Sequence, residues 1–244
     1  MRDAVYEGMA RNEAVHWWFV GRRRILRAVL EKLGLPLNAR ILEVGAGTGG
    51  NIPLLCRFGT VTAIEPNPKA RAWIAAKTGI TAVDCTLPNT TPLRGALFDL
   101  IAMLDVLEHI EDATAALAAL AGHMAPGGRF LITVPAYPFL WSPHDETLMH
   151  FRRYTRRTLT ATVDAAGLKV SRMRYFNTLL FPGVAATRLT LNLFGNRSVD
   201  EESPPPPPIN FVLAALFSAE RHFVLSFPMP FGVSLLAILK SSSS

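Results

Sequence analysis

The stretch ARILEVGAGTGG, residues 39–50, restricts this chain more than any other feature. Aliphatic residues through Val44 predict a strand, and the glycines that follow at once stop it. Glycine packed this densely after a strand lets the backbone turn sharply and approach a ligand at the carboxyl edge of a sheet. Gly45, Gly47 and Gly50 also satisfy Gly-x-Gly-x-x-Gly, a pattern that is weak by itself. The next strand, GTVTAIEPN (59–67), ends in Glu65, placed to accept hydrogen bonds from a ribose diol. Nicotinamide dinucleotides and S-adenosylmethionine both carry that diol, and this spacing leaves both open.

From residue 38 onward, strands alternate with helical stretches, the pattern of an α/β sheet. FDLIAMLDV (98–106) reads as a third strand and ATAALAALAGHM (113–124) as a helix. Pro126-Gly127-Gly128 then turns into the strand RFLITVPAY. Thr155 is placed to cap a helix through RRTLTATVDAA, which Gly167 stops. LKVSRMRYF and GVSLLAILK complete the strands, separated by about fifty residues, too many for an ordinary loop. That segment holds TLLFPGVAATRLTLNLFG, the acids Asp200, Glu201 and Glu202, the prolines Pro204 to Pro208, and INFVLAALFSAERHFVLSF. The prolines predict a stiff spacer and the apolar flanks predict helices. The expected organisation is a helical lid (1–37), an α/β core (38–181), an apolar helical insertion with a proline-rich spacer (182–231), a final core strand (232–240) and a disordered tail (241–244).

Glu43, two positions before Gly45, separates the two ligands. A carboxylate there suits a cationic amino-acid moiety and repels a pyrophosphate. With it, the acid-x-Gly-x-Gly-x-Gly run of Glu43, Gly45, Gly47 and Gly49 resembles the first motif of the class I S-adenosylmethionine-dependent methyltransferases. FDLIAMLDVLEHI is similar to that family's fourth strand and its exit. MAPGGRFLITVP resembles the turn into its fifth strand, and VDCTLPNTTPL the segment bordering the adenine. The resemblance covers roughly residues 38–180. It implies a Rossmann-like α/β fold: a mostly parallel sheet with an antiparallel last strand, helices on both faces, and a helical insertion before that strand. It also implies S-adenosyl-L-methionine as cofactor. Glu65 and neighbouring Pro66 would meet the ribose, and the Gly45–Gly49 loop with Ala46 the methionine part. Asp84 and Cys85 would flank the adenine, and Asp105 would lie near the sulfonium.

Methyl transfer from a sulfonium is an in-line displacement, so positioning and desolvation do most of the work. A base is needed where the nucleophile is protonated. His109, just past the third strand, is one candidate. A second polar group, SPHDETLMHFRRYT, brings His144, Asp145 and His150 as further catalytic candidates, with Arg152, Arg153 and Tyr154 to hold an anionic substrate group. His144, Asp145 and His150 lack the compact spacing of zinc motifs, and no metal is expected. The strand exit Asp105-Val106-Leu107-Glu108 is unlike the Asn/Asp-Pro-Pro-aromatic signature of amino-group methylases acting on bases, so no nucleic-acid substrate is expected. It looks like small-molecule O- or N-methyltransferases, including the quinone-biosynthesis type. The pattern HWWFVGRRR…HDETLMHFRRYT…PFGVSLLA is similar to a bacterial subgroup of them. In HWWFVGRRRIL (16–26), Trp17, Trp18 or Phe19 is expected to shape the pocket, with His16, Trp18 and Arg22 toward cofactor or substrate.

Composition bears on the acceptor. Half of the 244 residues are hydrophobic and 18 % charged, and mean hydropathy is +0.24. The net charge of +6 comes mostly from arginines in two clusters, Arg22–Arg24 and Arg152–Arg157. Oiliness beside arginine fits a lipid-linked acceptor and contact with acidic headgroups as well as a soluble small molecule. No segment has the roughly 18 apolar residues of a membrane span. The charged N-terminus lacks a signal core, and Cys56 and Cys85 lack disulfide-framework density. A cytoplasmic location is expected, with peripheral contact at the inner membrane face. The insertion could serve as lid, homodimer surface or membrane element. Two other classes stay open: an NAD(P)-dependent oxidoreductase, and a non-catalytic membrane-peripheral protein on the same scaffold.

Overall fold

The computed structural model describes residues 3–194 and 203–242. Two helices, α1 (Asp3–Asn12) and α2 (Trp17–Glu31), precede β1 (Ala39–Val44). The short α3 (Ile52–Leu55), β2 (Gly59–Ile64) and α4 (Pro68–Thr78) follow, then β3 (Phe98–Leu104), a single helical turn at Leu107–His109, and α5 (Ala113–Ala121). Next come β4 (Met124–Pro135), α6 (Pro143–Thr147), α7 (Arg156–Ala165), β5 (Leu168–Phe176), α8 (Phe181–Phe194), α9 (Pro207–Ala219) and β6 (Ser234–Ser241).

The strands form one sheet in the order β2-β1-β3-β4-β6-β5. β1 to β4 run parallel, while β6 is antiparallel to both β4 and β5. An isolated parallel bridge from Ile64 to Val83 continues the sheet one step beyond β2. The expected α/β architecture with an antiparallel last strand is therefore present. Parallel strands joined by crossovers are covered on both faces and read as continuous apolar runs, as β3 does. Its Ile101 and Met103 pack with Leu117, Leu159 and Val163 of α5 and α7. Its Leu100 and Ala102 pack with Ile25, Leu26 and Val29 of α2 and Phe217 of α9.

The expected helix over 113–124 stops at Ala121. His123 donates back to Leu120 and Met124 already pairs with Phe98, so the helix stops three residues before the helical pattern ends. Thr155 caps α7 as expected, accepting from the Thr158 N–H, and Asn67 accepts from the Ala70 N–H at the start of α4.

The apolar segment before β6 is tied into the core. Phe217 is fully buried, and a Cβ added to Gly21 would lie 2.5 Å from its ring, so glycine in α2 lets α9 come close. Glu220 fixes the same region. Its buried carboxylate accepts the N–H groups of Asn177, Thr178 and Leu179 at 2.7, 2.6 and 2.8 Å, at the exit of β5. The expected spacer is shorter than its proline run, because Pro207 already begins α9. Asp200, Glu201 and Glu202 lie outside the described residues. Ser241, expected in a disordered tail, is the last residue of β6, and Ser242 donates to the Gly167 carbonyl at 2.6 Å.

Candidate active site

The carboxyl ends of the parallel neighbours β1, β2 and β3 lie along one edge of the sheet, the place where open α/β sheets bind ligands. Gly45 and Gly47 adopt φ of 59° and 57°, a left-handed backbone that favours glycine. Gly47 donates its N–H to Glu65 Oε2 at 2.9 Å, which locks the glycine loop to the end of β2. Glu65 Oε1 accepts from the Asn67 N–H and from the hydroxyl of Tyr6, each at 3.0 Å.

Glu43 is 1 % exposed, with Asn51 Nδ2 donating to Oε1 at 3.1 Å and Oε2 without a hydrogen-bond partner. Burial raises its pKa to about 7, against the opposing Asn51 bond and the charge of Arg22. Arg22, buried on α2, pairs with Asp105 Oδ2 at 2.7 Å, and its guanidinium carbon lies 4.9 Å from the centre of the Trp18 ring. Asp105 itself sits at φ 58°, at the sharp exit from β3. Beside the cleft, Arg71 donates to the carbonyls of Glu65 and Pro66 and pairs with Asp84 at 3.0 Å. Cys85 is buried with its thiol on the Asn89 carbonyl, and burial pushes its pKa up.

A second cluster lies at the exit of β3 and the loop after β4. Asp145 Oδ1 bonds His150 Nδ1 at 2.8 Å, and Arg153 Nη1 lies 3.1 and 3.0 Å from the two Asp145 oxygens. Arg188 of α8 reaches Asp145 Oδ2 at 3.4 Å and the Leu140 carbonyl at 3.2 Å. Burial alone would raise Asp145, yet the His150 bond and the Arg153 and Arg188 charges hold it well below the usual carboxylate range. Arg153 is pushed down to about 10 by burial and by Arg188, with Asp145 opposing. The His109 and His150 rings stand 4.6 Å apart, edge to face. Burial and the neighbouring His150 push His109 down to about 3, so its imidazole is neutral. Glu108 is buried and raised well above the usual range by burial and by Asp105.

Ligand atoms of Glu108, His109 and His150 all lie within 4.8 Å of one another. Glu108 Oε2 and His109 Nδ1 are buried without hydrogen-bond partners, so this trio has the donors to hold a divalent cation. It differs from His144, Asp145 and His150, the set weighed from sequence. Asp145 is instead occupied by Arg153 and Arg188, and His144 lies in α6, partly buried.

The remaining expected residues divide by location. His16 caps α2, accepting the Trp18 N–H on Nδ1 at 3.2 Å. Trp17 packs edge to face on Phe217 of α9. Tyr154 is fully buried, which raises its hydroxyl to about 12, and its backbone bridges to Ala136. Arg152 donates to the Glu111 carbonyl at 2.6 Å. Sequence reasoning missed Tyr6, Asn51, Glu108 and Arg188. Tyr6, Met9 and Glu13 recur at helical spacing beside charged residues, a stripe that signals a face packed on something.

A family model described as a methyltransferase domain matches residues 19–172, more than half of the chain. The chain belongs to that family. That family is of the S-adenosylmethionine-dependent methyltransferase type, and the oxidoreductase reading gives way to this membership. A ubiquinone biosynthesis O-methyltransferase of Xanthomonas axonopodis pv. citri (strain 306) is 33 % identical over 111 residues, 42 % of this chain and 46 % of that protein. The matched region thus spans about half the length of that relative. A methyltransferase of Haloferax volcanii, solved with the Trm112 methyltransferase activator, superposes with a TM-score of 0.62 at 15 % identity, covering 98 % of this methyltransferase and 94 % of that chain. A glycopeptide N-methyltransferase complexed with S-adenosyl-L-methionine gives 0.52 at 16 % identity, covering 63 % and 86 %. These two likenesses show the fold. Among the described residues no helix is long and apolar enough to cross a membrane.

Proposed function

We propose that this methyltransferase methylates a hydroxyl oxygen of a small, lipid-linked acceptor. The observation that carries the reading is the buried Asp145–His150 pair facing His109. Asp145 accepts from His150 Nδ1, which leaves Nε2 to take a proton. The acceptor O–H gives its proton to His150, the oxygen attacks the sulfonium methyl, the C–S bond breaks, and the neutral thioether leaves. Neutral His109 stands beside His150 without competing for the proton, and burial together with Asp105 raises the Glu108 carboxyl well above the usual range.

In the cofactor cleft, Glu65 takes the ribose diol beside Pro66. The Gly45–Gly49 loop, Ala46 and Glu43 take the methionine part, and Asp84 with Cys85 borders the adenine. Asp105 and Arg22 border the sulfonium side, with Trp18 beneath the guanidinium. His144, Arg152, Arg153 and Tyr154 shape the acceptor loop; the bonds of Arg153 to Asp145 and to two carbonyls make it a brace.

The O-methyltransferase relative supports oxygen as acceptor atom. The lipid part rests on the exposed Ile209, Phe211, Val212 and Leu216 of α9, together with exposed Leu189 of α8. The test compares catechols with and without a polyprenyl tail, for wild type and His150→Gln, with liposome co-sedimentation alongside. Equal turnover of wild type and His150→Gln at every pH would sink the base assignment; no preference for the tail would sink the lipid one. The trio of Glu108, His109 and His150 favours a second reading, in which a divalent cation held there polarises the acceptor oxygen.

A further inference from the structure

α1 closes over the cofactor cleft and is tied to three separate parts of it. Asp3 pairs with Lys69 at 2.7 Å and accepts from Asn67 Nδ2 at 3.3 Å, both at the start of α4. A Cβ on Gly47 would lie 3.4 Å from the Met9 methyl, so α1 rests against the glycine loop. Glu13, just past the helix, accepts from Thr48 Oγ1 at 2.7 Å and from Lys77. At the centre, Tyr6 donates its hydroxyl to Glu65 Oε1 at 3.0 Å, and the two residues are 5 % and 2 % exposed.

Counting lone pairs shows what that bond does. Each carboxylate oxygen offers two acceptor sites. On Glu65, Oε1 is filled by Tyr6 and the Asn67 N–H, while Oε2 accepts the Gly47 N–H and has one site left. A vicinal diol that grips a carboxylate places one O–H on each oxygen. Tyr6 therefore stands where one of those hydroxyls must go, and it covers Glu65 from solvent. The Asp3–Lys69 pair is about half exposed and holds α1 weakly, so the buried ties are the Tyr6–Glu65 bond from within α1 and the Glu13 bonds just past its end. Burial and the Glu65 charge keep the Tyr6 hydroxyl protonated, always a donor.

We propose that Tyr6 is a competitive latch: its hydroxyl takes the place of a ribose hydroxyl on Glu65, and the cofactor binds by displacing it as α1 lifts. This rests on the assignment of Glu65 to the ribose. Tyr6 is then a positioning residue that sets how fast and how tightly the cofactor is taken up, without touching the methyl group.

S-adenosylhomocysteine binding by calorimetry and stopped flow tests this in wild type, Tyr6→Phe, Glu65→Ala and the double variant. Phenylalanine keeps the ring and removes the donor. The expected result is affinity about fivefold to tenfold tighter for Tyr6→Phe, from a lost competing bond to a charged group, with faster association. In the Glu65→Ala background, Tyr6→Phe should change nothing. Hydrogen exchange of amides 3–12 should quicken in Tyr6→Phe and, for wild type, on adding S-adenosylhomocysteine. Weaker or unchanged affinity in Tyr6→Phe, while Glu65→Ala binds poorly, would overturn the latch and leave the ribose assignment standing. Unchanged affinity in Glu65→Ala would remove the ribose assignment and the latch with it. Unaltered exchange of α1 in both comparisons would likewise overturn the latch.

Discussion

Glu43 makes a sharp prediction because its carboxylate is buried with one oxygen unpartnered. Its pKa near 7, against an ordinary 4.5, means that the fold disfavours the charged form by about 3 kcal/mol. The folded value is raised, so this contribution to stability is fully present below pH 4.5 and is lost as pH rises through 7. Glu43→Gln stays neutral throughout. Wild type and Glu43→Gln should therefore melt alike at pH 4.5, and the variant should melt higher by about 6–12 °C at pH 8, the shift expected of 3 kcal/mol in a chain of this length. The methionine ammonium of the cofactor would restore the charge. S-adenosylhomocysteine binding at pH 6 should then release about one proton from wild type and none from Glu43→Gln. Calorimetry in two buffers of different ionisation enthalpy reads that proton directly. A melting difference that is constant with pH, together with no proton release, would refute both the buried-charge reasoning and the place given to the ammonium.

Asp145→Asn leaves the buried Arg153 and Arg188 without their shared carboxylate and should cost about 3–5 kcal/mol in a denaturant melt. Because Asp145 is held low, the wild-type advantage should persist below pH 4 and vanish in stronger acid. Gly21→Val, driven into the Phe217 ring, should destabilise by about 1–3 kcal/mol and loosen α9 by hydrogen exchange, while a surface substitution on α2 does neither. Prolonged EDTA treatment followed by turnover separates the base from the cation. Full activity supports His150 as base, whereas loss restored by a divalent ion supports the trio of Glu108, His109 and His150. Glu220→Ala should raise exchange at the amides of Asn177, Thr178 and Leu179 and lower the melting temperature, because three donors lose one acceptor.

What was legible in the sequence was local. Strand β1, the turn at Gly45 and Gly47, and Glu65 closing β2 lie close together in the chain, and each follows from backbone preference or strand alternation. The Thr155 cap is similarly short-ranged. Asp145 and Arg188 lie 43 positions apart, and Tyr6 and Glu65 59 apart, so no periodicity reports them. Apolar α9 reads the same whether it faces lipid or protein. What decides is Gly21, whose lack of a side chain admits Phe217. Met124 shows the opposite failure: its helical pattern is real, but pairing with Phe98 prevails.

The place of β6 has a consequence for biosynthesis. It lies between β4 and β5 in the sheet, yet it is translated after both and after the whole α8–α9 segment. On the ribosome, β1 to β4 can pair as they emerge, whereas β5 has no sheet neighbour until β6 arrives. Domains fold as units during synthesis and exposed strand edges invite misassembly. The nascent chain must therefore shelter the β4 edge and the lone β5 through some sixty further codons (about 3–12 s at 5–20 residues per second), an interval in which chaperone demand is highest.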